Sequence, residues 1–279
     1  MIVRDLHPDY QSDIDPEYQI PDELWEKIAP LLPPTKKGPG RPRMDDRQAM
    51  TAIFYLLRTG GQWKSLPRSL GAKSTVHDRY QEWVKAGVFK KLWIAGLTEY
   101  DLEKGIEWEW QSIDGCITKA PLGGEDTGPS PVDRAKTGTK RSIHSDGRGV
   151  PLGVAVAKAN RHDMKLTKPT VESSPIQRPA PTEEERQHMS LDKGYDYPEI
   201  DELVDSWGYT AHISRRGEDP KAKEKIPGYR SRRWVVERTH SWMNRFRRLL
   251  IRWEKKVANY LGLLHFTCAI IAFRAAGVL

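Results

Sequence analysis

Asp114, Asp192 and Glu237 are the residues whose types and settings could do chemistry. Asp114 closes the run Gln111-Ser112-Ile113 and is followed by Gly115; Asp192 closes Ser190-Leu191 and has Gly194 two positions on. A glycine so close lets the chain turn away, so each carboxylate is expected at the end of a strand. Glu237 is the one acid in residues 232–248, where it lies among six arginines with Trp234, Val235, Val236, Trp242, Met243 and Phe246 between them. A helix built for solubility alone would mix its charges. Two adjacent strands ending in aspartate bring hard anionic oxygens together, and a packed helix can bring a third. Such oxygens suit Mg2+ or Mn2+. A pair of these ions about 4 Å apart can activate an attacking oxygen and stabilise a leaving one in phosphodiester cleavage. Taken singly, an aspartate before glycine is more often a turn residue, and a charge run more often a solvated face. The joint pattern points to metal-assisted chemistry on a polyanion whose phosphates the arginines hold.

Positioning these acids needs a sheet. Residues 106–116, 140–145 and 150–159 read as strands, the last two joined across Asp146-Gly147-Arg148-Gly149, a hairpin signal. Residues 183–187 have a helical composition. Residues 188–192 read as a fourth strand, 198–207 as a short helix, 209–214 as a fifth strand, 229–250 as the basic helix and 257–276 as a closing helix. The class is α/β, a mixed sheet with flanking helices whose first three strands form a meander, filling a domain over 106–279. Residues 1–20 are polar and loose. Residues 21–100 form a small all-α domain. Leu24, Ile28 and Leu31 keep helical spacing, and Asp45 caps a helix with Ala49, Ile53, Leu56 and Leu57 on its apolar face. Gly60-Gly61 ends that helix and Ser74-Thr75 opens another. This pair of helices reads either as helix-turn-helix-like or as part of a plain bundle.

Lysine and arginine number 45 against 38 acids. The excess is moderate, so its placement decides more than its total. Residues 229–256 hold ten basic residues and two acids, Glu237 and Glu254, an electrostatic footprint for nucleic acid. Cys116 and Cys268 are the only cysteines; they form no spaced cluster, which excludes a cysteine-based zinc site and fits a reducing compartment. The first residues carry no apolar signal core. The longest apolar run, 257–278, is broken by Asn259, His265 and Arg274 and reads as a buried helix rather than a membrane span.

Ser112-Ile113-Asp114-Gly115, Leu191-Asp192-Lys193-Gly194-Tyr195-Asp196, and the stretch Arg233-Trp234-Val235-Val236-Glu237-Arg238-Thr239-His240-Ser241-Trp242-Met243-Asn244-Arg245-Phe246-Arg247-Arg248-Leu249 resemble the three acidic motifs of DDE transposases. The resemblance is to bacterial insertion-sequence enzymes of the family-five type, and it extends to residues 22–93, which look like their N-terminal domain. It implies an RNase H-like core in which Asp114, Asp192 and Glu237 are the catalytic residues and bind two Mg2+ or Mn2+ ions. It implies double-stranded DNA as partner, both element ends and target, cut by water and then joined through the freed 3′-hydroxyl. It also implies a homo-oligomer on DNA, a cytoplasmic, nucleoid-associated setting and no membrane. In the related family-four signature a Tyr, Arg, Glu and Lys recur at fixed spacing. Arg233 precedes Glu237 by four, but Asn244 stands at the Lys position, leaving Arg238 or Arg245 to substitute. Rival readings are a metal-dependent nuclease or recombinase without strand transfer, and a domesticated DNA-binding protein; the intact acidic trio speaks against the latter.

The expected DNA contacts divide by chemistry. Arg79 and Gln81, on the helix that Ser74 opens, offer groups able to read base edges. Arg233, Arg238 and Arg245 offer guanidinium groups to phosphates. Gly40-Arg41-Pro42-Arg43 reads either as a minor-groove hook using Arg41 and Arg43 or as a linker. Trp242 reads either as a platform for a base or as core packing. His162-Asp163 reads as a helix-start cap, and His144 as a satisfied core histidine.

Overall fold

The computed structural model describes residues 14–34, 42–213 and 232–279, so Arg41 lies outside the described residues. The chain opens with four helices: α1 (Asp22–Ile28), α2 (Asp46–Thr59), α3 (Lys73–Lys85) and α4 (Val88–Lys104). The Asp45 side chain accepts from Gln48 N at 2.9 Å, and Gly60, at φ +78°, ends α2 in the left-handed conformation that glycine adopts without a steric cost. Ala49, Ile53, Leu56 and Leu57 are all buried, as the spacing requires. The connection to α3 runs through two short 3-10 turns at Trp63–Ser65 and Arg68–Leu70, longer than the tight turn expected between paired helices. Ala72, not Ser74 or Thr75, takes the cap position of α3.

The sheet is built from β1 (Trp110–Lys119), the two-residue β2 (Gly128–Pro129), β3 (Thr137–Ser145), β4 (Pro151–Lys158), β5 (Gln187–Leu191) and β6 (Tyr209–Ile213). Between them lie α5 (Met164–Glu172) and α6 (Pro198–Ser206), and α7 (Trp234–Asn244) and α8 (Val257–Ala276) close the chain. β1 pairs antiparallel with β3, and β3 antiparallel with β4 and β2. β5 runs parallel to β1, and β6 parallel to β5. The meander β1-β3-β4 with two parallel strands added on the far side of β1 is an RNase H-like mixed sheet.

Both faces of this sheet are covered, so β3 is buried at eight consecutive residues. One face packs Ile113, Met189, Leu191 and Tyr209 beneath Ile200 and Val204 of α6. The other face puts Ile143, Leu152 and Val154 into a core that continues through Val236 of α7, most of α8 and helices α1–α4. α8 is the one helix among the described residues long and apolar enough to cross a membrane, and 67% of that window is buried inside the fold. Its Gly96 neighbour explains the close approach of α4: a Cβ there would lie 3.1 Å from the Ala269 carbonyl oxygen.

Three expected elements are placed differently. Residues 183–185 form bends, Gln187 already belongs to β5, and the helix before β5 is α5 instead. Pro169 and the β-branched Thr167, Thr170 and Val171 lower its intrinsic helix propensity, and packing overrides that. β1 starts at Trp110 rather than at 106 and runs on to Lys119, past Asp114. The basic helix is shorter than 229–250: it begins at Trp234, ends at Asn244 and gives way to a 3-10 turn at Arg247–Leu249. Residues 229–231 lie outside the described residues.

Candidate active site

Asp114 sits in the middle of β1, not at its end, yet it occupies the place a strand end would provide. The parallel pairing of β1 with β5 stops at Ser112 and Ser190. Beyond that fork β5 turns away and Asp192 follows its last residue, Leu191, so both carboxylates lie past the carboxyl end of the parallel pair. Open α/β sheets carry their ligands there. Asp192 is held by Gly194 N at 2.7 Å, and Asp114 by Gly115 N at 2.8 Å.

Gly115 does not end the strand; it makes room. A Cβ at this position would lie 2.3 Å from Oδ1 of Asp163. Asp163 thus reaches the acids at the start of α5 while its Oδ2 accepts from Lys140 Nζ at 2.9 Å. Asp163 takes the N-cap position of α5 without a side-chain cap of its own, while His162 Nδ1 accepts from Met164 N at 3.4 Å, so the pair does start the helix as expected. Asp163, Lys140 and the buried Tyr195 were missed by sequence reasoning. The only local signal was the adjacency of His162-Asp163 to the end of a strand.

The electrostatics are those of crowded acids. Burial pushes the Asp114 carboxyl up to about 6. The Gly115 N–H opposes this, the charge of Asp192 adds to it, Arg233 opposes it and Asp163 adds again. Burial, then the charges of Asp163, Asp114 and Asp192, raise the Tyr195 hydroxyl well above its ordinary range, so it stays neutral. From α7, His240 Nε2 lies 3.8 Å from Asp114 Oδ2, and burial together with Arg141 pushes its imidazole down to about 3. His240 is therefore a neutral wall, not a counter-charge. A carboxyl disfavoured by burial and by two like neighbours is a group that a cation would stabilise.

Glu237 projects from the first turn of α7, half exposed, and its Oε1 accepts from Arg233 Nε at 3.0 Å and Nη2 at 2.8 Å. Asp114 and Asp192 feel each other's charge, but among the described residues no three acids, histidines or cysteines stand close enough to enclose a metal ion. The donor set is all hard oxygen, as Mg2+ or Mn2+ requires. Of the three acids, Glu237 is the one bound to an arginine.

The residues expected to touch DNA separate into free and committed groups. Arg79 is only 4% exposed; its guanidinium is ion-paired with Asp46 and donates to the Met44 carbonyl at 3.2 Å, tying α3 to the start of α2. It is not free to read a base edge. Gln81 bonds His77 Nδ1 at 3.2 Å and accepts from Lys256 Nζ at 3.2 Å. Arg43 pairs with Glu82 at 2.6 Å. Arg238 donates to the Arg148 carbonyl at 2.6 Å and lies between the rings of Trp234 and Trp242, 4.6 and 4.8 Å from their centroids. Trp242 is half buried against the core and Trp234 is exposed. Arg245 is exposed at the far end of α7 from Glu237. Within the same basic run Arg248 and Arg252 are buried: Arg248 Nε donates to Glu254 Oε1 at 3.0 Å, and Arg252 to the Glu254 and Glu125 carbonyls at 2.9 and 2.6 Å. Asn244 receives the buried Arg141 at 2.6 Å.

Comparison with known families agrees with this fold. A family model for the transposase DDE domain matches residues 111–272, and one described as "Putative transposase of IS4/5 family" matches residues 20–93. The chain belongs to the DDE transposases of bacterial insertion sequences, a family of DNA-transposing enzymes. Among curated proteins it is 33% identical over 156 residues to the "Putative transposase for insertion sequence element IS402" of Burkholderia cepacia, covering 53% of this chain and 68% of that protein. It is 36% identical over 118 residues to the "Insertion element IS402 uncharacterized 16.2 kDa protein" of the same organism, covering 40% and 80% of the two chains. Among solved structures the Mos1 mariner paired-end complex with Mn superposes with a TM-score of 0.26 at 11% identity, over 78% of this chain and 81% of that one, too loosely to bear on function.

Proposed function

We propose that this transposase cuts double-stranded DNA at the ends of its own mobile element and joins the freed 3′-hydroxyls to target DNA, with Asp114, Asp192 and Glu237 as its catalytic residues. The observation that carries the reading is the placement of Asp114 and Asp192 past the fork of β1 and β5, with α7, the helix that carries Glu237, bringing His240 to 3.8 Å from Asp114. These three carboxylates would hold Mg2+ or Mn2+, which when bound supplies a Lewis acid for the attacking and leaving oxygens. Glu237 reaches that role by releasing Arg233, whose guanidinium is then free for a phosphate of the strand being cut. Tyr195 and His240 stay neutral and buried, exclude water from behind Asp114, and leave its charge to be balanced from the DNA side. Arg238 and Arg245 extend the phosphate-binding face along α7, and the active form on DNA is a homo-oligomer that pairs two ends.

The test uses the full chain and a duplex carrying the inverted repeats that flank its gene. Asp114→Asn, Asp192→Asn and Glu237→Gln are each expected to abolish cleavage and joining while duplex binding persists, since an amide cannot supply the anionic ligand. Near-normal cleavage by one variant would remove that residue from the site. Activity that survives chelation of Mg2+ and Mn2+ would sink the mechanism. Cut ends without any joined product would reduce the reading to a nuclease.

A further inference from the structure

Three helices end at one place. Arg58 is in the last turn of α2, Arg245 caps α7 and Arg274 is in the last turn of α8. The guanidinium carbons of Arg58 and Arg274 lie 5.8 and 5.9 Å from the centroid of the same ring, Phe246. Arg247 joins them: its backbone packs on Gly60, where a Cβ would meet the Arg247 carbonyl carbon at 3.0 Å. Among the described residues no carboxylate pairs with Arg58, Arg245, Arg247 or Arg274. Arg43, Arg47, Arg79, Arg233 and Arg248, by contrast, each hold an acid. Arg58 Nε is buried with no hydrogen-bond partner among the described residues.

A basic residue at a helix C-terminus is favoured by about 0.3–1 kcal/mol through the helix dipole. That accounts for each arginine singly. It does not account for gathering them, because like charges at one site repel and no acid among the described residues offsets them. Arg274 is exposed, and partial desolvation together with the charges of Arg58 and Arg245 lowers its pKa, with no acid acting the other way. Such a cluster is satisfied by an anion from outside.

We propose that Arg58, Arg245 and Arg274, gathered round Phe246 at the end of α7, grip the sugar–phosphate backbone of the same duplex that is cut at Asp114 and Asp192. This rests on the transposase reading. Glu237 and Arg245 are eight residues apart on α7. At 1.5 Å per residue that is about 12 Å, or three to four base-pair steps of 3.4 Å, so one duplex can touch both ends of the helix. The contact is to phosphate rather than base, because Phe246 is only 1% exposed and offers no stacking face. The grip is therefore independent of sequence, and it links α2 of the N-terminal helices to the catalytic helix through the DNA.

The test is duplex binding by the full chain, with wild type compared against the Arg58→Gln, Arg274→Gln double variant. The probe is a random-sequence duplex, titrated from about 50 to about 200 mM salt. The slope of log affinity against log salt is expected to shrink by about 1.8, roughly 0.9 for each phosphate no longer neutralised. The Arg58→Lys, Arg274→Lys variant should retain the slope. Thermal unfolding of the glutamine variant should occur at the wild-type temperature or above, since a like-charge cluster has been removed. An unchanged slope overturns the proposal, whether it comes with a fall in unfolding temperature, which would mark a structural role, or with altered self-association, which would mark a face between copies. A wild-type chain that binds no duplex would defeat the transposase reading and this inference with it, and that result is read before any variant is made.

Discussion

At the residue scale, Gly115 shows how much a missing side chain can control. Its hydrogen leaves the space that Asp163 Oδ1 occupies, and Asp163 in turn holds Lys140 beside the acids. Gly115→Ala is expected to push Asp163 off Lys140, cost about 1–3 kcal/mol as overpacking does, and lower strand cleavage more than duplex binding. Adding Asp163→Ala removes the clash but leaves Lys140 unpaired, so the double variant should lose less than the sum of the two single variants. A double-mutant cycle by urea unfolding reads this directly; purely additive effects would mean that the two residues do not touch in solution.

At the element scale, the buried arginine of α3 is the test of what that helix does. Arg79 is pinned to Asp46 and Met44, so Arg79→Ala should loosen α3 from α2. Because Asp46 is partly exposed, the loss should fall to about 1–3 kcal/mol, below the 3–5 expected for a fully buried pair. The preference for element ends over scrambled DNA, measured well below the unfolding temperature, should not change. A loss of preference at full stability would restore Arg79 as a reader of bases. The structure also explains why the basic run shortens to α7: Phe246 leaves helical geometry at φ −88° and ψ 88°, and Arg248 then turns inward to Glu254.

At the scale of the whole molecule, one core joins the N-terminal helices to the sheet, and acid should undo it. His144 lies buried in β3 beside Gln111, its Nε2 2.8 Å from Gln111 Oε1. Burial, aided by the charge of Arg178, pushes its imidazole down to about 3. The unfolded residue titrates near pH 6.5, so the unfolded chain binds the proton first. The stability that neutral His144 contributes is complete above pH 6.5 and is lost as the pH falls, by about 1.4 kcal/mol per unit until the folded value is approached. Urea midpoints at about pH 7.5 and about pH 5 should therefore differ, and His144→Gln should narrow the difference because glutamine does not titrate. An equal fall in both proteins would exonerate His144.

What the sequence determined by itself was the set of elements with strong local signals. Asp146-Gly147-Arg148-Gly149 announced the turn between β3 and β4, and residues 257–276 announced α8, boundary for boundary. Both depend on nearest neighbours and on period, which a chain carries along its length. What only the tertiary structure decided was the fate of each charged side chain. Arg79 and Arg248 went inward to acids, whereas Arg58, Arg245 and Arg274 were left together without one among the described residues. α5 formed against its own propensity because the sheet face needed covering. Gly115 read as a turn and is instead the gap through which Asp163 approaches. A guanidinium or a carboxylate has the same local pattern whether it meets a partner or solvent. The partner comes from a distant segment, and packing alone brings that segment near.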